Sequence, residues 1–331
     1  MVRVSDPLEP AFRRAATRLL PPGTAVVAAV SGGADSIALL HLLARLAGSR
    51  AARMELAVAH LDHGLRRGSA ADRRFVEHAA RDLGLRCWAC RIPVSERLRR
   101  GESLEEGARR VRRAFLLEAR ERLHGDLIAT GHHLDDQAET VLLRLARGAG
   151  PSALAGMAER GPGPFVRPLL TFERAQLRAW LDRRGLAFRE DPSNRDLRFD
   201  RNRLRHRVVP VLEAEINPRA ARHVVRAAAR LREDAAVLDE LAAELLLRVL
   251  LPAPPGEVVL RVGPWTAAPS AIARRLARLA LGEAGIDPRS LSSRIVDALV
   301  DLARGPRGRR LDLPGGRVAA RLPDRVRVTV L

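Results

Sequence analysis

Ser31-Gly32-Gly33-Ala34-Asp35-Ser36 is the stretch of this chain whose residue types point most directly to chemistry. It joins an apolar run at 25–30 to a helix-patterned segment at 37–47. Glycines there remove steric bulk, so backbone N–H groups and the positive end of a helix can approach phosphate oxygens. The loop lacks the Gly-x-x-x-x-Gly-Lys spacing and the chain contains no lysine, which excludes Walker-type phosphate binding. A plain βα turn capped by its own Ser and Asp side chains is the structural alternative.

A second constellation is Thr130-Gly131-His132-His133-Leu134-Asp135-Asp136-Gln137-Ala138-Glu139-Thr140. On a helix His132, Asp136 and Glu139 lie at i, i+4 and i+7 and form one stripe, opposite the apolar, core-facing Leu134, Ala138, Val141, Leu142 and Leu145. Carboxylates beside a triphosphate repel it unless a cation intervenes, so Mg²⁺ or a cationic substrate is implied, with Asp35 and Asp136 as candidate metal ligands. Without a cation, Asp135 and Asp136 would serve as favourable charges in a first helical turn. His60-Leu61-Asp62-His63-Gly64-Leu65-Arg66 follows an apolar segment and places two histidines at a strand end. Arg109, Arg112 and Arg113 lie close together on a helix that starts near Ser103, where they could grip phosphates or pair with Glu105 and Glu106. Glu190-Asp191-Pro192-Ser193-Asn194 is a turn leading to Arg201, Arg203 and Arg205, a density of guanidinium groups that suits an RNA backbone.

The elements that must position these residues alternate in type. Apolar strands at 25–30, 55–60, 86–93, 126–130 and 165–169 are separated by helical patterns near 35–47, 69–83, 103–123 and 134–147. That alternation predicts an α/β fold, a Rossmann-like parallel sheet with helices on both faces. Ligands of such sheets bind beyond the carboxyl ends of the strands, where the polar motifs fall. Apolar positions Val224, Ala228, Leu231, Ala235, Leu238, Ala242, Leu245 and Val249 recur at spacings of four and three, predicting one long amphipathic helix over 219–250. A Pro-rich break at 251–256 ends it. Beyond lie a short strand, helical patterns at 270–284 and 290–304, and a hairpin around Pro314-Gly315-Gly316, a small α+β module. The expected organisation is 1–215 as a nucleotide domain, 216–251 as a helical linker and 252–331 as the small module.

The formal charge of +19 is carried entirely by arginine on the basic side and is spread over both halves. A phosphate-rich macromolecular partner fits this excess, as would an arginine-biased composition that merely solvates the surface. The absence of tyrosine argues against recognition built on base-stacking platforms. No apolar run reaches the length of a membrane span, so a cytoplasmic protein with no membrane partner is expected. Cys87 and Cys90 have C-x-x-C spacing, but on a strand they point to opposite faces and no second pair completes a metal site.

The first loop resembles the PP-loop of the N-type ATP pyrophosphatases, which cleave ATP between the α and β phosphates. Together with the 60–66 and 130–140 motifs, Ala108 to Arg112, Arg167-Pro168-Leu169-Leu170, the 190–194 turn and the 201–205 arginines, it resembles the tRNA(Ile)-lysidine synthetases over the first 215 residues. Leu311-Asp312-Leu313-Pro314-Gly315-Gly316 is similar to that family's first C-terminal domain, while a further domain of longer members is not expected. The resemblance implies ligation of L-lysine to C2 of the wobble cytidine of tRNA(Ile) with a CAU anticodon, through an adenylated cytidine, with ATP as substrate and Mg²⁺ as cofactor. It implies that Ser31, Gly32, Gly33, Ala34, Asp35, Ser36, His60, Gly131 and His132 bind ATP. Asp35, Asp136, Glu139 and Arg112 would be catalytic, and Arg109, Arg201, Arg203 and Arg205 would meet tRNA, as would the C-terminal module. Self-association as a homodimer is a further expectation. Arg113 stands where the family often has an aromatic residue. The rival functions are a PP-loop tRNA thiolation enzyme, which needs sulfur-carrying cysteines or a cluster, and a noncatalytic ATP- or RNA-binding protein, which would have lost Asp35, Asp136 or Glu139.

Overall fold

Strands buried on both faces read as nearly continuous apolar runs, and the first half of the chain is built from such runs. The computed structural model describes residues 6–49, 52–64, 68–191, 196–287 and 290–330. Leu65 and Arg66 of the second motif, and Pro192, Ser193 and Asn194 of the turn motif, lie outside them. The first elements are α1 (Leu8–Leu19), β1 (Ala25–Ala29), α2 (Ala34–Ala47), β2 (Glu55–Asp62), α3 (Ser69–Asp82) and β3 (Arg86–Arg91). They are followed by α4 (Leu104–Arg122), β4 (Leu127–Thr130), α5 (Leu134–Ala146), the one-turn α6 (Pro151–Leu154), β5 (Phe165–Val166) and α7 (Arg174–Arg183).

The five strands pair in parallel in the order β3-β2-β1-β4-β5. The chain order therefore reverses at β1, and the crevice between the ends of β1 and β4 is the expected ligand position for an open α/β sheet. Helices α1, α2, α3 and α7 cover one face around Phe12, Ile37, Leu40, Val76 and Trp180. Helix α4 covers the other, packing Phe115 and Leu116 against the Ile128 and Phe165 side of the sheet. Cys87 joins the first cluster and Cys90 the second, as their strand spacing predicts.

Three of the differences from the expected boundaries bear on the motifs. Strand β2 continues through Asp62, two residues past the expected end at His60, so Leu61 and Asp62 of the motif also lie in the strand. Strand β5 stops at Val166, because Pro168 has no N–H to extend the ladder. Helix α5 begins only at Leu134, with His133 as its N-cap, so His132 precedes the helix and does not share a helical stripe with Asp136 and Glu139.

The chain divides into two compact units, one ending at Ala229 and one from Arg230 to Leu331. In the first, residues 200–216 form an irregular helix: α8 (Asp200–Arg203) and α9 (Val209–Val211) alternate with π-type turns at Leu204–Val208 and Leu212–Ile216. Helix α10 (Ala220–Val249) spans the boundary, and Ala228, Ala235, Ala242 and Val249 of its apolar stripe are buried.

The second unit adds β6 (Leu250–Leu251), β7 (Val258–Arg261), α11 (Val262–Ala267), α12 (Ser270–Glu283), α13 (Ser293–Arg304), β8 (Arg310–Leu313), β9 (Arg317–Arg321) and β10 (Arg325–Val330). Its strands form an antiparallel sheet, β6-β7-β10-β9-β8, around a core that includes Leu260, Trp265, Leu276, Leu299 and Val326. Gly315 and Gly316 both take positive φ, which the β8–β9 turn requires. Among the described residues no helix is long and apolar enough to cross a membrane.

Candidate active site

The first loop is tied into shape by one hydroxyl. Ser36 Oγ accepts from the N–H groups of Ser31 at 3.1 Å and Gly32 at 3.2 Å, and donates to the Gly33 carbonyl at 2.9 Å. Gly32 sits at φ +94°, a backbone conformation that side chains rarely adopt. Gly33 is the N-cap of α2 and has no side chain to satisfy the first-turn N–H groups, which leaves the positive helix end open to an anion. Gly131 brings the end of β4 against this turn. A Cβ there would lie 3.2 Å from the carbonyl carbon and oxygen of Asp35, so glycine lets the end of β4 approach the first turn of α2 without displacing it. Two motifs about 100 residues apart in the chain thus meet at one crevice.

Around the crevice several buried polar atoms have no hydrogen-bond partner, among them Asp35 Oδ1, His60 Nε2 and His63 Nδ1. His60 Nδ1 donates to the Val30 carbonyl at 2.8 Å, which leaves Nε2 as a buried acceptor. Burial pushes the His60 imidazole down, so it is neutral at neutral pH. His63 Nε2 accepts from Arg112 Nη2 at 3.2 Å, and burial with the Arg112 charge pushes His63 down to about 4. Asp62 is buried and holds the Gly64 N–H at 2.8 Å, closing the turn after β2. Arg112 keeps exposed surface, yet the surrounding protein and the nearby charges of Arg201 and Arg109 press its pKa below the ordinary value. Arg113 lies over the Phe165 ring at 4.6 Å and donates to the Pro162 carbonyl.

His133 is the residue whose importance the sequence did not reveal. It is 1% exposed, and its ring lies within ion-pair distance of three carboxylates: Asp35 at 3.4 Å, Asp135 at 3.4 Å and Asp136 at 3.5 Å. Burial opposes its charge, but these carboxylates prevail and raise it to about 10, so it is an imidazolium at neutral pH. Its N–H donates to Asp136 Oδ2 at 3.1 Å, which fixes the carboxylate at the head of α5. The only sequence signal was its place one residue before a helix rich in acids. His132, in contrast, bonds Thr130 Oγ1 at 2.9 Å and is pushed down to about 4 by burial, with Arg167, Arg201 and Arg112 also opposing its charge.

Asp136 and Glu139 are both buried and are bracketed by two arginines of the irregular helix. Arg201 donates to Asp136 Oδ1 at 2.8 Å and Glu139 Oε2 at 2.7 Å. Arg205 donates to Glu139 Oε1 at 2.6 Å and Asp136 Oδ1 at 3.3 Å. Burial alone would raise the Asp136 pKa; the charges of His133 and Arg201 overcome it and hold the group below the usual carboxylate value. Arg203, between these two arginines in sequence, pairs with Asp200 and donates to the carbonyls of Leu197 and Arg198. Gln137, quoted in the motif without a role, exchanges two hydrogen bonds with the Met157 backbone and anchors the segment after α6. Asp135 accepts the Arg174 N–H at 2.9 Å.

Among the described residues no cluster of three metal-ligating side chains is preassembled. Mg²⁺ is commonly held by one or two carboxylates plus substrate phosphates, and the free oxygen of Asp35 beside the phosphate loop fits that role.

Two family models match the chain. Residues 8–212 match the PP-loop domain family and residues 260–326 match the TilS substrate binding domain. The chain is 43% identical over 300 residues to the tRNA(Ile)-lysidine synthase of Geobacter sulfurreducens, covering 88% of this chain and 62% of that protein. It is 43% identical over 316 residues to the synthase of Thermus thermophilus, covering 94% and 58%. For the synthase of Salinispora arenicola the identity is 41% over 311 residues, covering 92% and 90%. The chain thus spans about three-fifths of the first two relatives and nine-tenths of the third. In fold it is similar to the U34-tRNA thiolase NcsA from Methanococcus maripaludis, with a TM-score of 0.54 and 17% identity, covering 67% of this chain and 78% of that one. With a PP-loop crevice in its parallel-sheet unit and relatives of this identity along most of its length, the chain belongs to the tRNA(Ile)-lysidine synthase family.

Proposed function

We propose that this protein ligates L-lysine to C2 of the wobble cytidine of tRNA(Ile) with a CAU anticodon, consuming ATP. The observation that carries the reading is the meeting of the phosphate loop with a buried Asp136–Glu139 pair held by Arg201, Arg205 and His133. In the first step the cytidine O2 attacks the α-phosphorus of ATP and pyrophosphate leaves. Residues 31–36 and Gly131 cradle the phosphates, and His60 Nε2 supplies an acceptor for the adenosine. Asp35 with Asp136 would hold Mg²⁺, which neutralises phosphate charge when bound. In the second step the lysine ε-nitrogen attacks C2, its proton passes to a carboxylate, and AMP leaves with the original O2.

Lysine has an ordinary pKa near 10.4, so it arrives as an ammonium and must be held and deprotonated before it can attack. Asp136, held anionic by His133 and Arg201, is suited to anchor that cation, with Glu139 beside it as proton acceptor. Arg112 steadies the phosphate or the activated base. Arg109, Arg203 and the surfaces of Arg201 and Arg205 would meet the RNA. Residues 1–215 supply the chemistry, 216–251 the linker and 252–331 a tRNA contact, in a cytoplasmic enzyme.

Thiolation is the weaker reading, because Cys87 and Cys90 pack on opposite faces of β3 and burial raises the Cys87 thiol to about 11, away from a reactive thiolate. The deciding experiment gives the purified protein ATP, labelled lysine and a tRNA(Ile) CAU transcript, with a methionine tRNA of the same anticodon as control. Lysine-dependent AMP release with label on the first RNA alone is expected. Label on neither RNA, or on both, overturns the reading.

A further inference from the structure

Arg112 differs from its neighbouring arginines in what holds it. Arg201 and Arg205 are each bound to the carboxylates of Asp136 and Glu139, and Arg203 pairs with Asp200, so their charge is matched within the protein. Among the described residues Arg112 has no carboxylate partner, and its side chain makes one hydrogen bond, from Nη2 to His63 Nε2 at 3.2 Å. A guanidinium can only donate, so His63 Nε2 is the acceptor and the proton of the neutral ring sits on Nδ1. That Nδ1 is buried with no hydrogen-bond partner, so the contact with Arg112 is the ring's one hydrogen bond among the described residues. The two elements are locked together beneath it: Leu61 of β2, Val94 and Val111 of α4 share one core cluster, and the His63 carbonyl accepts the Val94 N–H at 3.1 Å. His60 and Asp62 flank the ring on β2, Arg112 faces it from α4, and Asp191 acts on it from the segment after α7. Burial and the cation prevail over the two aspartates and keep it uncharged at neutral pH.

We propose that His63 is the positioning residue for Arg112 during adenylation of the RNA: the neutral ring holds the guanidinium in place and leaves its full positive charge for the phosphate. This assignment rests on the reading of Arg112 as the group that steadies the phosphate. As the cytidine oxygen attacks the α-phosphorus and the bond to the leaving pyrophosphate breaks, negative charge builds on the phosphate oxygens, and a cation already oriented towards them lowers the barrier. A carboxylate in the place of His63 would grip Arg112 more strongly but would cancel the charge that the reaction uses. With no acceptor there, nothing would hold Arg112 against the repelling charges of Arg201 and Arg109. An imidazole with its lone pair on Nε2 meets both demands.

The test measures AMP–RNA adduct formation from saturating ATP and the tRNA(Ile) CAU transcript, without lysine, in a series of variants at position 63, with thermal unfolding of each followed alongside. His63→Leu removes the acceptor and is expected to slow the adduct step by about tenfold or more. His63→Gln can present a neutral amide oxygen where Nε2 stands and should remain within about threefold of wild type. His63→Glu keeps an acceptor but brings charge, and should fall with His63→Leu; a residue that merely tethered the arginine would lose nothing by this change. In an Arg112→Gln background, His63→Leu should add less than about twofold, because the ring acts through Arg112. Three results overturn the assignment: a His63→Leu rate close to wild type, a His63→Glu rate equal to or above that of His63→Gln, or an undiminished effect of His63→Leu in the Arg112→Gln background. If His63→Leu does not fold, the comparison of His63→Gln with His63→Glu decides alone. A wild-type protein that forms no adduct, or Arg112→Gln as fast as wild type, overturns the underlying reading and this assignment with it, so the two failures are distinguishable.

Discussion

Arg205 grips Glu139 side-on, with Nε to Oε1 at 2.6 Å and Nη2 to Oε2 at 3.1 Å, a bidentate ion pair around a carboxylate that is only 2% exposed. The pair is separated by 66 residues and joins the irregular helix to α5. Removing one partner leaves a buried charge with fewer contacts, although Arg201 still reaches it. Arg205→Gln is therefore expected to lower unfolding stability by roughly 1–3 kcal/mol. Glu139→Gln combined with Arg205→Gln should cost less than the sum of the single changes in urea unfolding. Additive losses would show that the two residues are not energetically coupled.

Asp136 combines a role at the head of α5 with a position among three cations, yet its proposed chemical role is to hold the lysine ammonium. Asp136→Ala is expected to abolish lysine incorporation, a loss of roughly 10²–10⁴-fold, in a protein that retains its fold by circular dichroism. Full activity in a folded variant would sink the assignment.

Histidine titration should shape the pH dependence of stability. His133 is raised from 6.5 to about 10, so its contribution is complete below pH 6.5 and is lost as pH climbs towards 10. His63 and His132 are both lowered from 6.5 to about 4; their neutral forms favour the fold above pH 6.5, and that contribution is lost as pH falls towards 4. For these groups the stability maximum falls near pH 6.5. Urea midpoints followed across this range should show both limbs, and His133→Asn should flatten the alkaline one. An alkaline limb unchanged in that variant would contradict the buried imidazolium.

Gly131 allows the end of β4 to touch the first turn of α2. In Gly131→Ala the new methyl group meets the Asp35 backbone at 3.2 Å, so the phosphate loop must move by a few tenths of an ångström. Stability is expected to fall by about 1–3 kcal/mol, with a larger effect on ATP use than on lysine KM. ATP-dependent adduct formation and thermal unfolding measured on one preparation check both parts. An equal rise in both KM values would argue for a diffuse disturbance.

The parallel sheet was legible because its signals are local. Apolar runs such as 25–30 and 126–130, each followed by a helix-periodic segment, specify strands covered on both faces wherever they occur. Motif positions at strand ends then follow from the topology, which is why Ser31–Gly33, His60 and Gly131 could be expected around one crevice. The start of α5 was less legible. The sequence put His132 on the helical stripe, whereas the helix begins at Leu134 with His133 as N-cap, and it is the His133 ring that is buried among Asp35, Asp135 and Asp136.

Arg201 and Arg205 show where sequence reasoning stops. As residues in a basic run they read as an RNA-facing surface, and nothing local to 201–205 shows that their guanidinium groups turn onto Asp136 and Glu139. The sequence by itself determined the α/β class, the phosphate loop and the residue types available for chemistry, since each depends on spacings of a few residues. Tertiary structure alone decided the charge partners: the His133 imidazolium, the two-arginine bracket and the neutral His63 beside Arg112. Ion pairing and burial depend on distances between segments far apart in the chain, and those distances exist only after packing has brought them together.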